Sequence, residues 1–119
     1  MDRLVVLHIE DDNDYHFLFS QYFDDNVLLL WGVNRQQTLM HINESKIDAI
    51  VFDGEIHGWN GHIEEVLSIT KDVPHIVLSG ANYSKILEFK EKGYQAHQKG
   101  REGLAAVVGY IKSLEDSRK

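Results

Sequence analysis

The sequence contains no cysteine, one proline and no apolar run that approaches the roughly 20 residues needed to span a bilayer. Without cysteine the chain can form neither a disulfide framework nor a thiolate metal site, and it could fold in a reducing compartment. The first residues, Met1-Asp2-Arg3, lack the basic region and the apolar stretch of a signal peptide. We therefore expect a cytoplasmic protein that has no contact with a membrane.

Basic residues are in the minority. The 119 residues include 12 Lys and Arg against 19 Asp and Glu, so the formal net charge is −7. This charge opposes a phosphate backbone, and no basic stripe offsets it, so we expect no direct nucleic-acid binding and a protein as the partner. A chain of this length suits one domain, residues 1–119, which would bury roughly 65% of the surface that its unfolded form exposes.

Short apolar runs alternate with helical patterns along the chain. Two runs, residues 4–9 and 47–52, are rich in β-branched and bulky side chains and too short for a buried helix, which is typical of central parallel strands. Further strands are predicted at residues 27–33, 75–79 and 94–98, the last with a polar character that suits an edge. Five repeats of strand and helix predict a doubly wound α/β fold with a parallel sheet.

The first and last helices each carry an apolar stripe. Asn13-Asp14 is expected to cap the first helix, which would cover residues 14–25. Apolar side chains at helical spacing predict the core-facing stripe of both helices. These side chains are Phe17, Leu18, Tyr22 and Phe23 in the first helix and Leu104, Val107, Val108, Ile111 and Leu114 in the last.

Two of the helices between them are predicted from their ends. Asn34 is expected to cap the second helix, which would run to about Ser45. The fourth helix would open at Asn82 or Ser84 and stop at Gly93, which is well placed as a left-handed C-cap.

Acidic residues follow two of the predicted central strands. Glu10-Asp11-Asp12 comes after the first strand and Asp53 after the third. In an open α/β sheet, ligands collect beyond the carboxyl ends of the strands, so these acids would converge in one place. Asp11 and Asp53 suit direct ligation of Mg²⁺, and Glu10 suits the binding of a coordinated water.

Lys99 follows the predicted fifth strand and supplies a cation to the same edge. Acids this close repel one another by a few kcal/mol at an effective dielectric of about 20, so the metal and Lys99 must compensate them. Asp53 then has the position of a nucleophile that attacks phosphorus to give an acyl phosphate. Ser79, at the end of the fourth strand, could hydrogen-bond the new phosphoryl group, and Gly80 leaves room for a backbone approach.

In combination, these pieces resemble a response-regulator receiver domain of two-component signalling, from Arg3 to the end of the last helix. The resemblance implies a five-stranded sheet with strand order 2-1-3-4-5. The pieces that carry it are Ile9-Glu10-Asp11-Asp12, the segment 53–61 with sequence DGEIHGWNG, Leu78-Ser79-Gly80 and Lys99.

The resemblance also implies partners and roles. The donor would be a histidine kinase or a histidine phosphotransfer protein, and the cofactor Mg²⁺ or Mn²⁺. The protein would be a stand-alone receiver, monomeric or dimeric on phosphorylation, that signals through another protein. The implied site residues are Asp53 as phosphoacceptor, Glu10, Asp11 and the backbone carbonyl of Glu55 as further metal ligands, Ser79 as switch hydroxyl and Lys99 as phosphoryl partner.

Three positions depart from the usual pattern of the family. Gly100 follows the lysine where a proline is common, Ala96 takes the place of a frequent aromatic residue, and His57 that of a proline in the loop after the phosphoacceptor. His57 would therefore lie at the rim of the site in a more mobile loop. Trp59 in the same loop is either a recognition contact at the rim or a partly buried hydrophobe.

A partner surface is expected near the fourth helix and fifth strand, which receivers commonly use to bind partners or to dimerise. A solvated helix face would explain Lys90, the lysine of this surface, equally well. The seven histidines of the chain show no pair with a convincing metal-ligand spacing on one helix face, so structural or surface roles are expected for them. The residues of the expected partner surface are Tyr83, Lys90, Tyr94 and His97.

We expect a phosphorylation switch rather than a turnover enzyme, with about 1–3 kcal/mol of coupling between Asp53 and the partner surface.

One alternative is a receiver-like interaction module that works without phosphorylation. A measurement of magnesium binding would discriminate between this module and the switch. A second is a small phosphatase or phosphotransferase that forms an aspartyl phosphate and uses Glu55 as its second acid. It is less favoured because so short a chain shows no cap domain or substrate pocket. A flavodoxin-like cofactor binder is less favoured still, because the first loop is acidic and lacks a phosphate cradle.

Overall fold

The computed structural model describes residues 3–118, which alternate between strand and helix. The strands of this part are β1 (Leu4–Ile9), β2 (Val27–Gly32), β3 (Ala49–Phe52), β4 (His75–Ser79) and β5 (Ala96–Gln98). Its helices are α1 (Asn13–Ser20), α2 (Arg35–Glu44), α3 (His62–Thr70), α4 (Tyr83–Glu91) and α5 (Arg101–Ser117). The strands pair in parallel in the order β2-β1-β3-β4-β5, which confirms the predicted doubly wound fold and places β5 at an edge.

Both faces of the sheet are covered by helices, so the central strands are apolar on both sides. On one face, Ile9 of β1 belongs to a core that includes Ile63 of α3. On the other face, Val6 of β1 belongs to a core with Phe19 of α1 and Val107 of α5. The two cores hold the carboxyl ends of β1, β3, β4 and β5 at one edge, where the loops that follow them meet.

Helix α1 differs from its prediction at both ends. The side chain of Asp12, rather than Asn13-Asp14, caps it by accepting hydrogen bonds from the backbone N–H groups of Asp14 and Tyr15. The helix ends at Ser20 instead of residue 25. It is therefore little more than two turns long.

The predicted apolar stripe of α1 is wrong for most of its residues. Phe17, Leu18 and Tyr22 are 64%, 44% and 44% exposed. The buried residue of the helix is Phe19, and Phe23 packs against it with ring centroids 5.0 Å apart. Because the helix is so short, Phe19 is its one fully buried position, and Tyr22 already lies beyond its end.

The strand boundaries also shift by a few residues. The carboxylate of Asp48 accepts a hydrogen bond from the backbone N–H of Val5 at 2.8 Å, and β3 starts after it at Ala49 instead of residue 47. Strand β2 ends at Gly32, one residue earlier than predicted.

The end of α4 explains why β5 is shorter than predicted. Gly93 has a φ of +94°, which confirms the predicted left-handed C-cap. Its N–H bonds to the carbonyl of Lys90 at 3.0 Å, and the N–H of Tyr94 bonds to the carbonyl of Phe89 at 3.1 Å. Tyr94 thus completes the helix cap, and β5 begins only at Ala96.

Two predicted N-caps are confirmed. The side-chain oxygen of Asn34 accepts the backbone N–H of Gln37 at 2.8 Å, and that of Asn82 accepts the backbone N–H of Lys85 at 3.1 Å. Ser84, the alternative start of α4, donates its hydroxyl to the Asn82 side chain instead. Local side-chain chemistry therefore places these two helix starts.

Helix α5 packs as predicted, with Leu104, Val107, Val108 and Ile111 buried and Leu114 half-buried. Within residues 3–118, no helix combines the length and the apolar composition needed to cross a membrane.

Gly54, in the loop after β3, packs closely against the end of strand β4 and against helix α4. A Cβ at this position would lie 2.5 Å from the hydroxyl oxygen of Ser79 and 2.8 Å from a ring carbon of Phe89. Both neighbours are buried. A larger residue must therefore displace either the end of β4 or helix α4.

We predict that Gly54→Ala lowers the free energy of unfolding by about 1–3 kcal/mol, because the added methyl group overpacks this contact. Urea denaturation measures the change. The matched control is Gly109→Ala in α5, where a Cβ would meet nothing within 4 Å. This change should raise the free energy of unfolding by about 0.5–1 kcal/mol. A stabilised Gly54→Ala protein would contradict the packing argument.

Candidate functional site

Three acidic side chains converge beyond the carboxyl ends of β1 and β3. One carboxylate oxygen from each of Glu10, Asp11 and Asp53 lies within 4.8 Å of the other two. Glu10 is 0% exposed and Asp53 is 8% exposed, whereas Asp11 is exposed. The structure therefore brings together the acids that the sequence predicted to converge.

Lys99 is the cation of this cluster. Its Nζ lies 2.7 Å from Oε1 of Glu10 and 3.7 Å from Oδ2 of Asp53. Its backbone N–H bonds to the carbonyl of Ser79 at 2.7 Å, which fixes the end of β5 against the end of β4. The ammonium also lies over the ring of Tyr15, 4.2 Å from the centroid.

Burial works against the charged forms of both inner carboxylates. It raises the pKa of Glu10 to about 7, although the contact with Lys99 acts in the opposite direction. Burial likewise raises the pKa of Asp53, and here too Lys99 opposes the shift. A single lysine thus only partly compensates the two buried acids, and a second cation would favour their charged forms.

The donor set fits a hard divalent cation. The three groups offer carboxylate oxygens alone, which is the ligand type that Mg²⁺ prefers. Oε1 of Glu10 is buried and has the ammonium of Lys99 2.7 Å away. A carboxylate oxygen has two lone pairs and can face a second cation, so the residues present fit the predicted metal.

The loop after β3 orients the exposed acid. The backbone N–H of His57 donates to Oδ2 of Asp11 at 3.0 Å, so the loop and the acidic turn are joined. The side chain of His57 is exposed at the edge of the site, as predicted. The backbone of Glu55 acts to lower the pKa of Asp53, while the Glu55 side chain is exposed. The metal-binding role of the Glu55 carbonyl stays a prediction.

Trp59 is a largely buried hydrophobe. It is 6% exposed and belongs to the core beneath α3. Its indole N–H donates to Glu65 at 2.9 Å. Trp59 also lines, with Asp11 and His57, a cavity beside the site, so a contact of the indole with a partner stays a prediction.

Ser79 lies at the end of β4, where it is 1% exposed. Its hydroxyl oxygen accepts the backbone N–H of Ala81 at 3.2 Å. A Cβ on the adjacent Gly80 would lie 3.6 Å from Lys99, an ordinary contact, so packing does not demand glycine there. Close packing does demand glycine at Gly54, whose added Cβ would lie 2.5 Å from the Ser79 hydroxyl oxygen.

His62 is a site residue that the sequence did not indicate. It is 5% exposed, and its Nε2–H donates to the backbone carbonyl of Asp53 at 2.7 Å. Burial lowers the pKa of His62, which favours the neutral ring. The contact fixes the peptide that follows Asp53. No local pattern could have revealed it, because the two residues meet only when α3 packs on the sheet.

Two further histidines connect α1 to the site through an aromatic stack. The Nδ1 atoms of His8 and His16 lie 2.9 Å apart, so one ring donates and the other accepts. His16 stacks on Trp31 with centroids 4.8 Å apart, and the Trp31 indole N–H donates to the backbone carbonyl of Glu10 at 2.7 Å. Burial lowers the pKa of His16, and lowers that of His8 to well below its ordinary value. The stack therefore favours neutral rings.

One member of the expected partner surface, Tyr94, completes the cap of α4 and packs against His75, with ring centroids 5.9 Å apart. Its place in a partner surface stays a prediction. The other three members line a groove, which we name the α4–β5 groove. Its lining includes Tyr83, Lys90, His97, Lys99 and Arg101.

We predict that the neutral, buried His8 makes the fold sensitive to acid. The unfolded chain binds a proton at this residue near pH 6.5, whereas the folded chain does so only at lower pH. The free energy of unfolding should therefore fall as the pH drops below about 6.5, by up to about 1.4 kcal/mol per pH unit for this one group. The measurement is urea unfolding above and below this pH.

In the comparison variant, His8→Leu, this part of the loss should disappear. Groups that titrate alike in the two proteins, including Glu10 with its raised pKa, cancel in the difference. His16 loses its hydrogen-bond partner in the variant, so any change in its titration belongs to the effect of removing His8. An identical pH dependence in the two proteins would contradict the assignment.

No protein-family model matches the sequence, and no curated protein matches it either. The chain is similar in structure to the signal receiver domain of a DNA-binding response regulator from Colwellia psychrerythraea 34H, with 18% identity and a TM-score of 0.78 over 95% of this chain and 98% of that one. It is also similar to the receiver domain of the Francisella response regulator 1452, with 19% identity and a TM-score of 0.75 over 98% and 100% of the two chains.

A third similar structure is a response regulator from Burkholderia pseudomallei that contains a phosphorylated aspartic acid, a calcium ion and citrate. The identity is 16% and the TM-score 0.69, over 99% of this chain and 75% of that one. At these identities the likeness establishes the architecture. The chain therefore has the fold of response-regulator receiver domains.

Proposed function

We propose that this protein is a receiver domain in which Asp53 accepts a phosphoryl group from the phosphohistidine of a histidine kinase or a histidine phosphotransfer protein. The observation that carries the proposal is the cluster of Glu10, Asp11 and Asp53 beside Lys99, at the carboxyl ends of the strands of a receiver fold. Acidic clusters and strand-end lysines each occur in proteins of other functions. Their combination on this fold favours phosphoryl transfer.

Asp53 is the carboxylate best suited to act as the nucleophile. It retains slight exposure, whereas Glu10 is fully enclosed and Asp11 is engaged by the backbone N–H of His57. In the proposed step, an Asp53 oxygen forms a bond to phosphorus as the bond from phosphorus to the donor imidazole nitrogen breaks. The imidazole leaves with the electron pair and is free to take up a proton from water.

Positive charge is supplied to this step from two directions. Glu10, Asp11, Asp53 and the backbone carbonyl of Glu55 would hold the cation, Mg²⁺ or Mn²⁺. When bound, it neutralises carboxylate and phosphoryl oxygens. Lys99 supplies the second charge, and at 3.7 Å from Asp53 it needs only a small movement to contact a phosphoryl oxygen.

Ser79 provides a route from the phosphoryl group to the rest of the fold. A hydrogen bond from its hydroxyl to the phosphoryl group would replace the present contact with the Ala81 N–H and draw the loop after β4 inward. Because Ser79 also holds the backbone of Lys99, strand β5 would follow. The α4–β5 groove would then change shape, with a coupling of about 1–3 kcal/mol.

In this proposal the protein is a cytoplasmic switch rather than a turnover enzyme, and it acts as a monomer or dimerises on phosphorylation. Its output passes through a protein that binds the α4–β5 groove, without direct contact with nucleic acid. One observation favours the alternative of a phosphorylation-independent interaction module. Ala96 is buried at a position where an aromatic side chain often relays the switch in receivers. Metal binding and phosphorylation distinguish the two.

We predict that incubation with acetyl phosphate and Mg²⁺ adds the mass of one phosphoryl group to the protein, because Asp53 attacks the small donor as it would a phosphohistidine. Intact mass spectrometry measures the adduct. Asp53→Asn should show none. The matched control, Asp25→Asn, changes an exposed aspartate outside the site and should be modified like the wild type.

Hydrogen exchange on the same samples tests the switch. Altered protection from β4 to β5 in the phosphorylated wild type is the expected result. A protein that binds Mg²⁺ but gains no phosphoryl group, from acetyl phosphate or from an authentic phosphohistidine donor, would support the interaction module instead.

We predict that Mg²⁺ stabilises the wild type, because the cation relieves repulsion between the folded carboxylates. An excess of about 100 times the dissociation constant should raise the free energy of unfolding by about 2.7 kcal/mol. Asp53→Asn and Glu10→Gln should lose most of this gain, and Asp25→Asn should retain it. Urea unfolding with and without Mg²⁺ gives the values, and equal gains in all four proteins would refute a metal site at these carboxylates.

A further inference from the structure

The side chain of Lys99 lies between two kinds of partner. On one side are the carboxylates of Glu10 and Asp53, and on the other is the face of the Tyr15 ring, 4.2 Å from the ammonium. Tyr15 belongs to the first turn of α1, and its backbone N–H donates to the capping carboxylate of Asp12. Tyr15 is therefore held close in the chain to Glu10 and Asp11, which directly precede Asp12.

The backbone around Lys99 offers little to direct this long side chain. Gly100, the next residue, has a φ of +150° and no atom within 4 Å of the place where a Cβ would stand. Helix α5 begins after it without a side-chain cap. A lysine side chain is long and has many rotamers, so its direction must come from side-chain contacts.

A tyrosine ring suits this task, because its face is electrostatically negative and attracts a cation within about 6 Å of the centroid. The side chain of Lys99 is only 19% exposed, so water screens the contact weakly. Burial and the charges of Glu10 and Asp53 raise the pKa of Tyr15 to about 12, which keeps the phenol neutral. The lysine is therefore held by the ring face and not by a phenolate.

We propose that Tyr15 is a positioning residue whose ring face holds the ammonium of Lys99 between Glu10 and Asp53, ready to move onto the phosphoryl group. The inference rests on the proposed function for its kinetic consequence but not for the contact itself. Tyr15 takes over, through a side chain of α1, the aiming of Lys99 that a rigid residue at position 100 would provide.

The structure also supplies the control. The hydroxyl oxygen of Tyr15 is buried and has no hydrogen-bond partner within residues 3–118. Tyr15→Phe therefore keeps the ring and loses no hydrogen bond of the described protein. Tyr15→Leu removes the ring face while keeping an apolar side chain, and Tyr15→Met serves if the leucine variant does not fold.

The test measures the rate of phosphorylation by acetyl phosphate for wild type, Tyr15→Phe and Tyr15→Leu, each also combined with Lys99→Met. We expect Tyr15→Phe to react within about twofold of the wild type and Tyr15→Leu to react roughly 2- to 30-fold more slowly, the range that a cation–π contact spans. In the Lys99→Met background, Tyr15→Leu should cause no further loss. An equal loss with and without the lysine would overturn the proposal, and so would a loss in Tyr15→Phe as large as in Tyr15→Leu.

A second readout separates this inference from the proposed function. The ε-methylene protons of Lys99 should show an upfield ring-current shift by NMR in wild type and Tyr15→Phe, and lose it in Tyr15→Leu. This shift requires no phosphoryl transfer. If the wild type shows the shift but is never phosphorylated, the contact between Tyr15 and Lys99 is supported and the proposed function is refuted. If the wild type shows no shift, the inference about Tyr15 is overturned and the proposed function is unaffected.

Discussion

The buried ion pair between Lys99 and Glu10 is the contact on which the edge of the sheet depends. A carboxylate that is fully enclosed at the end of β1 costs several kcal/mol if it is charged and has no partner. Lys99 meets this requirement from the position after β5, a strand that lies three places from β1 in the sheet, and its backbone is tied to Ser79 of β4. One electrostatic requirement therefore holds together the ends of elements that are far apart in sequence. The same lysine is the group that phosphoryl transfer would draw away from Glu10, so the contact that secures the resting arrangement would also be the one that changes.

Local chemistry explains most of what the sequence predicted correctly. Asn34 and Asn82 cap helices through hydrogen bonds to residues three positions away, and Gly93 ends α4 through its own backbone conformation. Such features need no knowledge of the tertiary fold. The convergence of Glu10, Asp11 and Asp53 was also predictable, because parallel strands that alternate with helices bring their carboxyl ends to one edge.

Features that arise from packing between elements were missed or wrong. Phe17, Leu18 and Tyr22 follow a helical spacing, yet α1 ends too early and the residue that reaches the sheet is Phe19. Trp59 could not be assigned until the core beneath α3 was known. The contacts that hold the site residues in place were also missed, because each arises from packing between different elements of the fold. They are Tyr15 beneath Lys99, Gly54 against Ser79 and His62 on the carbonyl of Asp53.

The indole of Trp31 gives this architecture a further property. Its N–H is bonded to the main-chain carbonyl of Glu10, while the second indole, that of Trp59, is bonded to the side chain of Glu65 on α3. The chain has two tryptophans, and their surroundings differ, because Trp31 stacks on His16 whereas Trp59 contacts Glu65. Fluorescence from Trp31 therefore reports on the main chain that presents the acids, and fluorescence from Trp59 reports on the helix that follows Asp53. The protein carries two built-in optical probes at the two halves of its site and needs no added label.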